Sequence, residues 1–492
     1  MSSFDSAISV TSQERFQTAL DSSPLTRPMW MLWILSAGLI ALDGFDFFII
    51  GMAMPFIQRD FRLSAGWVGA IATAALAGAL LGSLTLGPIT DKVGRQRMLV
   101  LDIGLFIAAS LATALAWSAS SLLFFRFLVG VGIGADYPIS VSYITENMPA
   151  RYRGRMVIGA FSFQSVGALL GALVGWLTIV VFQHIAPDLA VGYAWRWMLG
   201  VGVVLSLVVG GLRLLFVLES PSYYLAKGEY KAASEAASEL LQKSIALKPA
   251  GEPAAEQKQR ESDIHSMALG YRDLFSKTYR KRTALASIPW FLQDIATYGI
   301  GIFTPAIIAA LVSSEQNDLL TQEIASARGA AIVNVFLVIG FLLAVTLINR
   351  IGRISLQVFG FIGMAVGLAI LSFVSGDSQM ALLFLGFILF NLTMNLGPNS
   401  TTFLLSGEVF PPAIRASGAG LAGGIAKSGA VLGALGLPLL KEAIGVQPLM
   451  LVLAAVCLLA AAVTYGFRQA IDETGVNASI HPLTQPDPAS VE

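Results

Sequence analysis

The sequence predicts an all-α membrane protein of twelve transmembrane helices in two six-helix halves. Three observations carry that prediction: an apolar composition, twelve bilayer-length windows, and loop motifs that recur between the halves. Of 492 residues, 55% are hydrophobic and 13% charged, where soluble domains average about 25% charged. No water-facing globule hides that much apolar surface, so the solvent is lipid. The formal net charge is zero, which argues against nucleic acid or another polyanion as a partner and leaves charge placement as the informative quantity.

A bilayer core asks for about 20 apolar residues per helix. Such windows fall near 30–57, 67–89, 98–117, 122–144, 155–181 and 196–217, then near 284–312, 328–348, 355–375, 380–404, 417–440 and 445–466. The chain therefore divides into an N-terminal tail (1–28), a six-helix bundle (29–218), a central loop (219–283), a second six-helix bundle (284–467) and a C-terminal tail (468–492). The first tail lacks the short apolar core and cleavage site of a signal peptide, so the first span is expected to stay in the mature chain. The central loop carries KGEYKAASEAASELLQK, KPAGEP and KTYRKR and reads as short amphipathic helices around a Pro/Gly break.

Lys and Arg gather in alternate short loops, at Lys92, Arg95 and Arg97, at Arg151, Arg153 and Arg155, at Arg350 and Arg353, and at Arg415. The opposite loops are sparse or acidic, as at Glu315, Asp318 and Glu323. The positive-inside rule then places both tails and the central loop in the cytoplasm. A multi-pass protein of the plasma membrane is expected, the bacterial inner membrane in particular.

The six-plus-six division is supported by an internal repeat. GPITDKVGRQR (87–97) is echoed by INRIGRIS (348–355), each after the second span of a half. ENMPARYRGR (146–155) is echoed by GEVFPPAIRASG (407–418), each after the fourth; Glu146 to Glu408 and Arg153 to Arg415 are both offset by 262 residues. Repeated halves that rock about a midplane site are the architecture of many secondary transporters. With these motifs, and with LESPSYYLAKG (218–228) after span six, the chain resembles the major facilitator superfamily over nearly its whole length. The loop charges Asp91, Arg95, Glu146, Arg153, Glu219, Glu408 and Arg415 are expected to form ion pairs that latch the cytoplasmic side, since acids are not needed for topology.

Charges inside spans cost roughly 2.5–3.5 kcal/mol each on insertion scales, so each is a functional candidate. Span one holds Asp43 and Asp46 in ALDGFDFFIIG, span four Arg126 and Asp136 in RFLVGVGIGADYP, span seven Asp294 and span eleven Lys427 in GGIAKSGAVLG. Asp43 and Asp46 are neighbouring carboxylates out of water, which suits groups that load and release protons. Arg126 and Asp136 are ten residues apart, nearly three turns, so each is expected to look elsewhere for a partner. In WFLQDIATYG, Trp290, Asp294 and Tyr298 follow at four-residue intervals and share one helix face. Uncharged polar candidates are Tyr137, Gln164, Asn395 and Asn399, with Asn399 placed 262 residues after Tyr137.

Other chemistries find little support. GVGIG (130–134) lacks the strand, spacing and acidic residue of a dinucleotide motif and reads as close helix packing. There is no Walker loop, Cys457 stands alone, and His184, His265 and His481 all fall outside the spans, so neither a metal cluster nor an enzymatic nucleophile–base pair is expected.

GADYPIS with Gln164 downstream, WFLQDIATYG, and NLGPNSTTFLLSGEVFP with AKSGA resemble the phosphate:proton symporter branch of the superfamily. The resemblance implies that Tyr137, Gln164, Trp290, Asp294, Tyr298 and Asn399 surround phosphate. It also implies that Asp43, Asp46 and Asp136 serve proton movement, and it matches Lys427 to a lysine of span eleven. The chemistry is coherent. Phosphate at neutral pH keeps an acidic proton that it can donate to an aspartate, whereas sulfate would meet a repelling carboxylate. Trp, Tyr and Gln donate hydrogen bonds without charge, and Lys427 offsets the anion. There are departures: Ala135 stands where the branch usually has glycine, and Gly44 between the aspartates is similar to symporters of aromatic acids and other metabolites. An organic acid or other metabolite therefore stays open as the substrate; a sugar is less favoured, because span seven lacks the paired glutamines of sugar porters. Protons are the expected coupling ion, no cofactor or metal is expected, and the protein is expected to act as a monomer in the lipid bilayer.

Overall fold

Among the described residues, each predicted apolar window falls largely on α-helix. The computed structural model describes residues 12–93, 95–216, 218–247, 272–312, 319–374, 379–410 and 415–472. The chain divides into two compact units, Met1–Leu269 and Gly270–Glu492.

The first unit begins with α1 (Ser12–Ser22), followed by six long helices: α2 (Arg27–Asp60), α3 (Ala65–Val93), α4 (Arg95–Ala114), α5 (Ala119–Asn147), α6 (Ala150–Ile185) and α7 (Ala190–Leu215). Two short helices, α8 (Pro221–Ala226) and α9 (Tyr230–Leu241), close it. The second unit holds α10 (Arg280–Val312), α11 (Leu319–Ile351), α12 (Arg353–Ser372), α13 (Met380–Leu396), α14 (Pro398–Glu408), α15 (Arg415–Ile444) and α16 (Val446–Gly466). Among the described residues ten helices are long and apolar enough to cross a bilayer, and two shorter apolar stretches, Val100–Ala114 and Ala119–Gly134, lie at the third and fourth predicted spans. Large apolar side chains such as Leu101, Leu207, Leu342 and Leu458 are exposed, which lipid solvates and water would not.

Local chemistry sets the helix ends. Thr26 caps α2 by accepting from the Met29 amide, with proline in the first turn. Ser118 and Ser121 form a reciprocal capping box on α5. Gly352 (φ 86°) separates α11 from α12, a left-handed conformation that suits glycine.

The span read as one helix over 380–404 is two. Gly397 (φ −107°, ψ −97°) ends α13, and Pro398 starts α14. Proline has no amide to donate and pushes its predecessor out of the helical region, so GP breaks the span.

Residues 12–22, read as tail, form a docked helix. Phe16 and Leu20 of α1 are fully buried, and the Gln13 amide donates to the Ser222 hydroxyl on α8 at 3.3 Å. Asp21 accepts from the Ala150 amide at the start of α6 at 2.8 Å, and the Thr26 hydroxyl donates to the Leu240 carbonyl of α9 at 2.6 Å. In the central loop α8 and α9 match the expected short helices; the KPAGEP break lies outside the described residues.

GVGIG forms a packing seam. A Cβ on Gly130 would overlap the Ala75 carbonyl oxygen of α3, and one on Gly134 the Ala79 carbonyl oxygen. Only glycine lets α3 and α5 approach this closely.

Candidate functional site

In the second unit, α10 and α15 meet backbone to backbone. A Cβ on Gly429 or Gly433 would overlap the carbonyl oxygen of Phe291 or Ile295. That seam lets Lys427 of α15 reach across to α10. Its Nζ lies 3.3 Å from Asp294 Oδ2 and donates to the Tyr298 hydroxyl at 2.9 Å. The Trp290 indole N–H faces the same carboxylate, and its ring packs edge-on to Phe403 of α14 with centroids 4.5 Å apart. Trp290, Asp294, Tyr298 and Lys427 are all buried, none more than 5% exposed. The four-residue stripe and Lys427 thus form one cluster.

Asn399 sits beside it in a different role. Its carbonyl accepts from Gln293 Nε2 at 3.0 Å, and its amide donates to Asn395 Oδ1 at 2.6 Å. Gln293 in turn accepts from the Thr402 hydroxyl at 3.0 Å, and Asn395 donates to the Leu337 carbonyl at 2.9 Å. This chain ties α10, α11, α13 and α14 together across the Gly397 break. Sequence reading missed Gln293, although it lies between Trp290 and Asp294 as an uncharged polar residue in a span.

In the first unit Asp46 has a dedicated counter-ion. Arg126 Nη1 lies 2.7 Å from both of its carboxylate oxygens, and Nη2 reaches the Asp46 carbonyl at 3.4 Å. Arg126 is completely buried. The Asp46 carboxylate also borders a cavity of about 10 Å³ whose walls include Ser110, Thr113, Phe106 and Leu199, room for about one water.

Asp43, three residues earlier on the same helix, lies near another acid. It is 1% exposed and lies within electrostatic reach of Asp102 on α4. Asp136 also leaves Arg126 aside and interacts with Asp102 and with Arg213 of α7. Asp102 and Arg213 are buried ionisable residues inside predicted spans that sequence reading passed over.

The remaining site expectations divide as follows. Gln164 is buried on α6. The side chains of Tyr137, Asp91, Arg95 and Arg415 lie outside the described residues. Glu408 accepts both hydrogen bonds of the Arg353 fork, at 2.6 and 2.7 Å, so Arg353 is more than the topology charge expected from the sequence. Arg153 donates to the Met148 carbonyl at 3.4 Å. Glu219 is buried and accepts from the Ser220 amide at 3.1 Å, and Glu146 is half-buried near the end of α5.

The sequence profile of the family described as Sugar (and other) transporter matches residues 30–472. The chain is 29% identical over 440 residues to YaaU of Escherichia coli (strain K12), a protein named for metabolite transport, covering 89% of this chain and 90% of the relative. It is 29% identical over 430 residues to the repressible high-affinity phosphate permease of Neurospora crassa, covering 80% of this chain and 74% of the relative. Among solved structures it is similar to the proton:xylose symporter XylE bound to 6-bromo-6-deoxy-D-glucose, with a TM-score of 0.71 at 20% identity, covering 90% of this chain and 96% of that one. That likeness shows the fold alone.

Proposed function

Because the chain belongs to the sugar (and other) transporter family of the major facilitator superfamily, and is therefore a multi-pass membrane transporter rather than an enzyme, we propose that it is a proton-coupled symporter that imports inorganic phosphate. The carrying observation is the buried Asp294–Lys427–Tyr298 cluster with Trp290 against it. With Asp294 ionised, the Asp294–Lys427 pair is neutral and presents an arriving anion with a repelling carboxylate. A proton on Asp294, from solution or from the substrate's own acidic hydroxyl, leaves Lys427 as an uncompensated cation. Unit charges about 4 Å apart interact by about 4 kcal/mol at an effective dielectric near 20, enough to make anion binding conditional on that proton. Tyr298 and Trp290 add neutral donors.

In the first unit Asp46, held by Arg126, is the second proton-handling carboxylate on this reading. Neutralising it frees a cation in a place where an unpaired charge is costly, which links proton occupancy to conformation. The contributions of Tyr137 and Gln164 rest on the resemblance alone. The cycle is alternating access between repeat-related halves, in a plasma membrane with both termini cytoplasmic, as a monomer and with the proton as the only coupling ion.

A second reading, a small organic acid or other metabolite as cargo, is favoured by YaaU's name and by the edge-on Trp290–Phe403 pair, which offers an aromatic wall. Uptake of labelled phosphate into proteoliposomes, beside aromatic acids and sugars, with and without an inward proton gradient, tests both. Phosphate accumulation that collapses with the gradient supports the first reading; phosphate that neither enters nor competes removes it.

A further inference from the structure

A second acidic centre lies in the first unit, apart from the Asp46–Arg126 pair. Asp102 on α4, Asp136 on α5 and Asp43 on α2 are each no more than 4% exposed, and one cation, Arg213 of α7, lies within electrostatic reach of Asp102 and Asp136. Asp102 and Asp136 thus share one arginine in an apolar bundle, with Asp43 within electrostatic reach of Asp102. Glu219 and Tyr143 act on Arg213 in turn, so its charge is not reserved for the aspartates.

The backbone is shaped to bring two of these acids together. Gly132 stands one turn before Asp136 on the same face of α5, and a Cβ there would lie 3.1 Å from Asp102 Oδ1. The missing side chain is the space in which the Asp102 carboxyl rests. The Asp102 and Asp136 carboxyls lie within electrostatic reach of each other, and the Oδ1 atoms of both are buried without a hydrogen-bond partner among the described residues. Ionised carboxylates only accept, so such a pair can hydrogen-bond only when one bears a proton. Two bare carboxylates in contact out of water would repel.

We propose that Asp102 and Asp136 hold a single proton between them, and that Asp102 is a further proton-carrying residue of the transport cycle. The proton passes from one carboxyl O–H to the facing carboxylate oxygen, one O–H bond breaking as the other forms. The remaining negative charge stays opposite Arg213. The sharing itself stands without any substrate assignment; its place in coupling rests on the proton-driven reading above.

Infrared difference spectra of the full-length protein, wild type against Asp102→Asn and Asp136→Asn, test the sharing. A protonated-carboxyl C=O band lost in both variants is expected. A band unchanged in Asp102→Asn overturns the proposal. Gly132→Ala retains both acids while crowding Asp102, and it guards against a folding defect. It is expected to shift or abolish the same band, and an unmoved band in this folded variant also overturns the proposal. For coupling, Asp102→Asn is expected to lose at least tenfold in gradient-driven uptake while retaining counterflow exchange of labelled phosphate; full gradient-driven uptake removes Asp102 from the cycle. If wild type moves no phosphate at all, the substrate reading fails while the infrared result still decides the shared proton.

Discussion

Arg126 sets one terminal nitrogen 2.7 Å from both carboxylate oxygens of Asp46, and no part of the arginine reaches the surface. Removing one partner of such a pair strands the other. Asp46→Asn is expected to cost about 3–5 kcal/mol of stability, and Asp46→Leu with Arg126→Met to regain most of it, because an apolar pair replaces a buried ion pair at little cost. Thermal unfolding in detergent measures the first effect. Gradient-driven uptake should stay low in both variants, since the carboxylate is gone from each.

The Lys427–Asp294 contact at 3.3 Å makes a pH prediction with a definite sign. If the anion binds only after Asp294 takes a proton, uptake at a fixed concentration of monovalent phosphate falls as pH rises, because the ionised carboxylate repels the substrate. Asp294→Asn removes the titrating group and should flatten that profile while abolishing accumulation driven by a pH gradient. Lys427→Ala should raise KM tenfold or more. A steep pH profile surviving in Asp294→Asn would move the proton to another residue.

Asn399 is engaged on both sides of its amide, by Gln293 and Asn395. Gln293→Leu leaves the Asn399 carbonyl and the Thr402 hydroxyl without that partner in a buried place. A loss of about 1–3 kcal/mol is expected. Asn399→Ala should behave alike, with thermal stability falling further than phosphate affinity. The reverse ordering would make Asn399 a direct ligand.

Arg353 and Glu408 form a two-bond fork with side chains 12% and 23% exposed. Exposed pairs contribute about 1 kcal/mol or less, and this mostly buried two-bond fork is expected to contribute more, so Arg353→Lys should lower the melting temperature measurably. Lysine keeps the charge and loses the fork. If the pair latches one conformation, the lysine variant changes the maximal transport rate; an unaltered rate makes the pair purely structural.

The spans were legible because hydropathy is additive over about 20 residues, and helices are the only economical way to bury that backbone in lipid. Partners were not, because they depend on a few tens of degrees of helix rotation. Asp43 and Asp46 look adjacent at three residues, yet at 3.6 residues per turn they point roughly 60° apart. That angle suffices to send one toward Asp102 and the other to Arg126. The Gly397–Pro398 break was written in the sequence, but a hydropathy window averages over proline. Arg353 follows a glycine just as Arg95 does, so the repeat itself offered the pairing that topology counting set aside. Gly44 has a mechanical explanation: a Cβ there would overlap the Gln164 carbonyl of α6. Glycine is required between the aspartates whatever the cargo, and it carries no weight in choosing phosphate over an organic acid.

The docking of α1 has a consequence in time. Thr26, just after this helix, bonds to the Leu240 carbonyl 214 residues later in the chain. At a synthesis rate of about 5–20 residues per second, roughly 10–40 s separate the emergence of the two ends of that bond. Through that interval α1 has no α8 to pack against while α2 to α7 are being made. A segment made before the six long helices thus completes its contacts only after all six have been made.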